Sequence, residues 1–492
     1  MTSMERLKAL ASEAETVSSA ASVLGWDQET NLPPDGGPWR AKQLSWLSGR
    51  HHEMVTSEAW KSAIEEALAN CDEEDSRASR NLTEMRRQFE RKQRLPTELV
   101  ERASSLSSRA KQVWSDARKH DDFLRFAPLL EELVGIAREK AELWGYADEP
   151  YDALLETYER GATTAKVASI FEGMGSELRE ISQAAVDRFA ANPVELPAGP
   201  YPEEAQARFN REVAEALGFD FSMGRIDTTT HPFCTTLGPA DVRLTTRYDL
   251  DDFTSSLFGV MHEAGHGLYE QGLRAEDYGT PAGDAVSLGI HESQSRLWEN
   301  HIGRSRAFWD RWFPVACKHF PQLEAFGLDA FMGFVQRSEK SFIRVEADEA
   351  TYDLHILLRF DLERRLVQGD LQVKDVPAAW NERFEAGFGI TPPNDREGCL
   401  QDIHWAMGGL GYFPTYSLGN LNAAQLFEAA RAVPDIATGI DRSDYAPLLA
   451  WLREKVHCHG GTLDPDEIIR DATGNEPSPE AHLRHLRKRY VG

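Results

Sequence analysis

The sequence predicts an all-α chain with one small β element. Three observations carry that expectation. Apolar residues recur at helical spacing along most of the 492 residues. Alternating, β-branched runs are rare. Proline and glycine gather in short clusters that lie between the periodic stretches.

From the start of the chain, Leu7, Leu10 and Ala11, then Val17, Ala20, Ala21 and Leu24, place a helix over Ser3 to Leu24. A loop follows from Asn31 to Pro38, where Pro and Gly cluster. Pro96-Thr97-Glu98 opens another helix, because Pro suits a first turn and an acidic residue favours the N-terminal end of the macrodipole. Leu99, Val100, Ala103 and Leu106 then share a face. The pattern returns over 123–145, 163–190, 203–217, 305–320, 349–369 and 374–388, and twice more before the end. Loops are expected at Asn192 to Pro202, Ile390 to Asn394 and Gly408 to Asn420. The one clear strand is Asp241 to Tyr248. No repeat period and no flexible linker divides the chain, so residues 1–492 read as one large α-rich unit with two lobes.

Composition narrows the function. Hydrophobic residues at 41% and charged residues at 27% are those of a globular chain. The net charge of −26 disfavours nucleic acid, anionic membranes and phosphate as partners. No apolar run approaches the roughly 20 residues of a membrane helix, and the first ten residues lead into no signal-peptide core. Cys71, Cys234, Cys317, Cys399 and Cys458 are odd in number and scattered, which fits reduced thiols and a cytoplasmic location.

The chemistry concentrates at His262-Glu263-Ala264-Gly265-His266, an H-E-x-x-H pattern. On a helix, residues i and i+4 lie one above the other, so His262 and His266 can grip one metal ion from successive turns. Glu263 lies one step round the helix and can bond an attacking water without being a ligand. Imidazole nitrogens in a tetrahedral site suit zinc. Leu257, Val260, Met261, Ala264 and Leu268 make the segment at least half-buried, where unpaired His and Glu would be costly. A catalytic zinc needs a third protein ligand. The longer H-E-x-x-H-x-x-G-x-x-H pattern fails, because Tyr269 and Gly272 occupy the required Gly and His positions. A second helix, Gly289 to Asn300, can fold back after a turn at Tyr278 to Gly283. It offers Glu292, with His291, Glu299 and His301 as competitors on spacing alone.

Several motifs in order resemble the Taq-type zinc carboxypeptidases, a family of cytosolic metallocarboxypeptidases with a helical gluzincin fold. Gly25-Trp26-Asp27-Gln28-Glu29 and Pro33 to Gln43 are similar to its N-terminal signature. His231-Pro232-Phe233 matches H-P-F, and Asp241-Val242-Arg243-Leu244-Thr245 matches D-x-R-x-T. His291-Glu292-Ser293-Gln294 matches H-E-S-Q. Ile343-Arg344 with Ala347-Asp348-Glu349, and Gly398 to Trp405 as G-x-x-Q-D-x-H-W, complete the set. One departure is Arg160, between Glu159 and Gly161, where the family usually has Pro. The resemblance implies Glu292 as third ligand, one Zn2+ per chain (with Co2+ or Mn2+ able to replace it), a two-lobed fold with a deep groove, and a homodimer.

It also implies release of single residues from peptides with a free C-terminal carboxylate; a helical endo- or aminopeptidase is the alternative. Glu263 would be the general base for water activated by the metal. Tyr412 and Tyr416, on the Gly-rich loop after His404, resemble the oxyanion donors of related enzymes, and His404 joins Tyr412 as a catalytic candidate. Arg243, Arg247 and Arg344 can pair with the terminal carboxylate. His231, Asp241, Arg243, Thr245 and Arg344 form the expected substrate-binding set. His457-Cys458-His459, before Gly460-Gly461, reads as an exposed turn rather than a second metal site.

Overall fold

In the computed structural model, which describes residues 2–71 and 76–492, the first helix shows how far local signals reach. Ser3–Thr30 starts at a capping box: the Thr2 hydroxyl accepts from the Glu5 amide at 3.2 Å, and Glu5 accepts from the Thr2 amide at 2.7 Å. It continues past Leu24, because Trp26 is buried along with Leu7, Ala11 and Ala14. The loop expected at Asn31 to Pro38 is shorter than that. Pro34–Gly36 is a 3-10 turn and a helix runs over Gly37–Val55.

Twenty-one α-helices and three short strands are found among the described residues. The expected helices appear as Thr97–His120, Phe123–Trp144, Thr164–Ala191, Glu203–Leu217, Arg306–His319, Tyr352–Gln368 and Val376–Phe388. Two expectations need correction. The Gly408 to Asn420 loop ends early, at Pro414, which opens a helix over Pro414–Arg431 and places Tyr416 in its first turn. The helix expected over Gly289 to Asn300 is regular only over Leu288–Arg296, then continues as a π-helix over Leu297–Gly303.

The strands are β1 (Gly224–Thr228), β2 (Cys234–Gly238) and β3 (Asp241–Thr246), in the order β1-β3-β2. β1 runs parallel to β3, with Gly224 opposite Val242, and β2 runs antiparallel to it. Only β3 was legible from sequence. It is the central strand, with Val242, Leu244, Thr245 and Thr246 buried, whereas β1 and β2 are edge strands of five residues each.

The chain divides into two compact units, each drawn from three stretches. The first takes Met1–Lys92, Glu195–Val335 and Asn422–Pro477, and contains the sheet. One of its cores is aromatic, with Tyr201, Phe209, Phe253, Phe320 and Phe331. The second takes Gln93–Val194, Gln336–Leu421 and Ser478–Gly492, around Tyr151, Phe171, Phe360, Trp380 and Trp405. No helix among the described residues is long and apolar enough to cross a membrane. None of the five cysteines, all among the described residues, is in a disulfide.

Candidate metal centre

The helix Phe253–Glu270 starts where the Asp252 carboxylate accepts from the Thr254 amide at 2.8 Å. Leu257, Val260, Met261, Ala264 and Leu268 are buried along it. Two glycines let other backbone come close. At Gly267 an added Cβ would lie 2.7 Å from the Phe219 ring and 3.0 Å from Leu244 of β3, so the helix rests on the sheet there. At Gly265 it would lie 2.6 Å from the Gln294 carbonyl oxygen and 2.6 Å from Ser295 Cα. The helix Leu288–Arg296 therefore crosses in backbone contact between the two histidines, and Glu292 faces both.

Glu292 Oε2 lies 3.6 Å from His262 Nε2 and 3.5 Å from His266 Nε2. Ligands about 2.1 Å from a tetrahedral ion stand about 3.4 Å apart, so two nitrogens and one oxygen at these separations suit a divalent metal such as zinc. The other ring nitrogens are committed. His262 Nδ1 is 2.9 Å from Glu299 Oε2, and His266 Nδ1 is 3.0 Å from the His291 carbonyl oxygen. Such outer partners fix ring orientation and leave each Nε2 lone pair for an ion. Glu292 keeps Oε2 on the histidine side because Arg296 Nε holds Oε1 at 2.6 Å.

The competing residues lie elsewhere. Glu299, carried on the π-helix, sits on the Nδ1 side of His262, and Arg296 and Arg304 donate to it at 3.3 and 3.2 Å. The His291 ring stacks on His266 at 4.4 Å, with Nε2 held 2.9 Å from Glu270. The His301 ring packs against Phe427.

Charge sets the protonation of the metal-free centre. Burial lowers the His262 pKa, but Glu292, the bond to Glu299, and Glu263 override it and raise it to about 9. Burial and the neighbouring His291 bring His266 down to about 3. Burial pushes Glu263 up to about 7, with His262 pulling against it and Glu292 adding to it. Burial also opposes ionisation of Glu299, yet Arg296, His262 and Arg304 hold it at about 2. Glu263 is 7% exposed and has no hydrogen-bond partner among the described residues, so its carboxylate is available to solvent or substrate.

The sheet residues of the expected substrate set are engaged with one another. Arg243 makes a two-pronged pair with Asp241, 2.8 Å on each prong, and lies 4.3 Å over the Trp26 ring. The Thr245 hydroxyl accepts from the Phe233 amide at 2.7 Å and donates to the Phe233 carbonyl at 3.0 Å. Its observed bonds hold the His231-Pro232-Phe233 loop. His231 and Arg247 are exposed.

The second unit holds a separate cluster. Arg344 donates to Asp402 Oδ1 from Nη2 at 2.8 Å and Nε at 3.1 Å, and to the Tyr352 hydroxyl at 2.8 Å. Arg359 reaches Asp402 Oδ2 at 2.7 Å and Gln401 at 2.8 Å. Two buried guanidinium groups thus share one carboxylate, and Asp402 is held far below the usual carboxylate range by both of them against its burial. His404 Nε2 is 3.1 Å from the Tyr416 hydroxyl. Burial, with Arg344 and Arg359, lowers it to about 4 despite Asp402, so the ring is neutral at pH 7. Tyr412 packs edge-on to His404, with centroids 5.0 Å apart.

Sequence reading missed Arg359, Arg296 and the orienting role of Glu299. Glu299 did carry a signal, seven residues after Glu292 on one helix. Arg359 had none, being one of several charged residues on its helix, with nothing in its spacing to mark it. The exposed turn expected at His457 to His459 is partly wrong. His457 is buried and its Nε2 is 3.0 Å from Gln294, because Gly460 and Gly461 seat this turn on the backbone of Ala282 and Pro281.

The family model described as Carboxypeptidase Taq (M32) metallopeptidase matches residues 6–490. Thermostable carboxypeptidase 1 of Thermus thermophilus is 40% identical, over 97% of this chain and 96% of that one. Metallocarboxypeptidase 1 of Trypanosoma cruzi superposes with a TM-score of 0.95 at 36% identity, covering 100% of this chain and 99% of that one. A carboxypeptidase of Deinococcus radiodurans superposes with a TM-score of 0.95 at 36% identity, covering 99% of this chain and 98% of that one. The chain belongs to the carboxypeptidase Taq family and is a metallocarboxypeptidase.

Proposed function

We propose that this enzyme is a zinc carboxypeptidase that removes single residues from peptides with a free C-terminal carboxylate. The observation that carries the reading is the convergence of His262 Nε2, His266 Nε2 and Glu292 Oε2, both histidines being oriented from behind. These three residues would hold the ion. Bound there, zinc supplies a Lewis acid that polarises the scissile carbonyl and acidifies water. Glu263 takes the proton of the attacking water and returns it to the departing amine nitrogen. Before an ion binds, burial raises its pKa, which favours taking up a proton.

Tyr412 and neutral His404 are proposed to donate to the carbonyl oxygen as it gains charge. Arg344 is proposed to pair with the substrate carboxylate. What supports this is the charge balance: with Arg359 it outweighs Asp402 by one positive charge in a buried setting, which an anion would neutralise. Arg243 and Asp241, stacked beside Trp26, and exposed His231 are proposed to contact the peptide chain, while Thr245 holds the His231 loop. Co2+ or Mn2+ could occupy the same donor set. We further propose that residues 1–492 act as one catalytic unit, since the family match spans nearly all of both compact units. A homodimer in the cytoplasm is part of the same reading; five cysteines without a disulfide among them fit a reducing compartment.

The test is hydrolysis of one N-terminally blocked peptide as free acid and as amide, followed by mass spectrometry. The amide brings no anion to the buried arginines, so the free acid should react about a hundredfold faster or more. Equal rates, or cleavage within the peptide, would overturn the carboxylate reading.

A further inference from the structure

One buried carboxylate of the second unit has no role in the proposed chemistry. Glu363, fully buried on the Tyr352–Gln368 helix, accepts three hydrogen bonds. The Trp405 indole N–H donates to Oε1 at 2.8 Å. The Gly411 amide donates to Oε2 at 2.9 Å, and the Tyr151 hydroxyl donates to it at 2.6 Å. A buried carboxylate bonded only to neutral donors is costly to keep. Two of its three bonds go to the immediate neighbours of proposed catalytic groups. Trp405 follows His404, and Gly411 precedes Tyr412.

Those two groups need such support. From Gln401 to Phe413 the only regular structure is the 3-10 turn Trp405–Met407. Gly411 has φ +94°, and a Cβ there would lie 2.8 Å from the Leu154 carbonyl carbon. The turn is therefore seated on the backbone of the Pro150–Leu155 helix, while Glu363 holds its amide. One turn earlier on the same helix as Glu363, Arg359 fixes the start of the segment through Asp402 and Gln401.

We infer that Glu363 is a positioning residue: it pins the 404–412 turn so that His404 and Tyr412 keep the orientation the reaction needs. The inference rests on the reading of those two as groups that act on substrate. The chemistry of the side chain matters: burial pushes Glu363 up to about 7 against its three donors, and above that pH it is a carboxylate that offers acceptors only, so the comparison below is made at pH 8. Glutamine is the same size, but its NH2 group would face either the Trp405 or the Gly411 N–H. The third bond leads to Tyr151, off the turn, and provides a control.

Metal-loaded Glu363→Gln and Tyr151→Phe enzymes are compared below their melting temperatures, by hydrogen exchange of residues 401–413 and by kcat and KM on a blocked peptide. Both lose a buried hydrogen bond and some thermal stability. Only Glu363→Gln should speed exchange in 401–413 and lower kcat, about tenfold to a hundredfold, the range for a misplaced catalytic group. Its metal content should not change. Adding Trp405→Phe, which removes the N–H that the new amide opposes, should restore part of kcat. If Glu363→Gln does not fold, Trp405→Phe alone breaks one bond to the turn and should show the same changes at smaller amplitude. Unchanged exchange in 401–413, unchanged kcat, or an equal loss of kcat in Tyr151→Phe overturns the inference. Tyr412→Phe tests the underlying reading separately: if it keeps full kcat, the role given to Tyr412 fails, while the exchange result still reports on Glu363.

Discussion

In the first unit, the groups that face the proposed metal come from two successive helices, and the π segment that extends the second holds one of them from behind. In the second unit, Arg344, Arg359, Asp402 and His404 come from a 3-10 turn, a helix and an irregular segment well apart in sequence. The two clusters are also held differently. The metal centre depends on a backbone crossing at Gly265, which sets the histidine–glutamate separation before any side chain acts. The arginine cluster depends on charge-assisted hydrogen bonds among buried side chains, and it keeps an excess of positive charge. Three cation-ready donors with an acid nearby make a place for a metal. Two arginines on one aspartate are the ground for proposing an anion there. Substitutions should separate the two properties.

The largest effect is expected at the ligand carboxylate. Glu292→Gln should lose metal affinity by more than the roughly 10–100-fold typical of an outer partner. Glu299→Gln should lose affinity within that range, because it only orients His262. Metal content after graded chelation measures both, and a larger loss in Glu299→Gln would exchange their assignments.

Next comes the other cluster. Arg344→Gln should leave metal uptake as it is and reduce the preference for free acid over amide, a difference of about a hundredfold or more, towards unity. Rates on the paired peptides measure it. If the preference survives intact, the anion is read by another group.

The smallest effect is a proton count. At pH 8, His262 is mostly protonated, with its pKa raised to about 9, whereas His266, lowered to about 3, is already neutral. Metal binding at Nε2 should therefore release at least about one proton, the one on His262, beside any given up by water on the ion. The part from His262 should fade above pH 9, where His262 is already neutral in the metal-free protein. Calorimetry in buffers of different ionisation enthalpy gives the count; zero at pH 8 contradicts the placement of the ion at His262.

How much of this was legible in the sequence follows from the same contrast. The spacing of His262 and His266 is a helical repeat, so sequence alone placed them on one face. Choosing Glu292 over His291, Glu299 and His301 needed the resemblance, because four candidates on one helix differ only in direction, and a π segment changes direction without a clear mark in sequence. The backbone contact at Gly265 was invisible, since a glycine inside a helix has several explanations. In the second unit, Arg344 and His404 were found only as motif members. Arg359 and Glu363 stand among other charged residues of one helix, and their partners lie tens of residues away. Edge strands β1 and β2 were missed for a related reason: they are short and owe their strand form to β3.

The central claim is that Glu263 moves protons and does not bind the metal. Glu263→Gln, loaded and assayed in one preparation, tests it most directly. Zinc stoichiometry should stay at one per chain, while kcat on a free-acid peptide falls by about 10²–10⁴-fold, the usual contribution of a general base. Loss of the metal from this variant, or retention of near-normal kcat, would contradict the account.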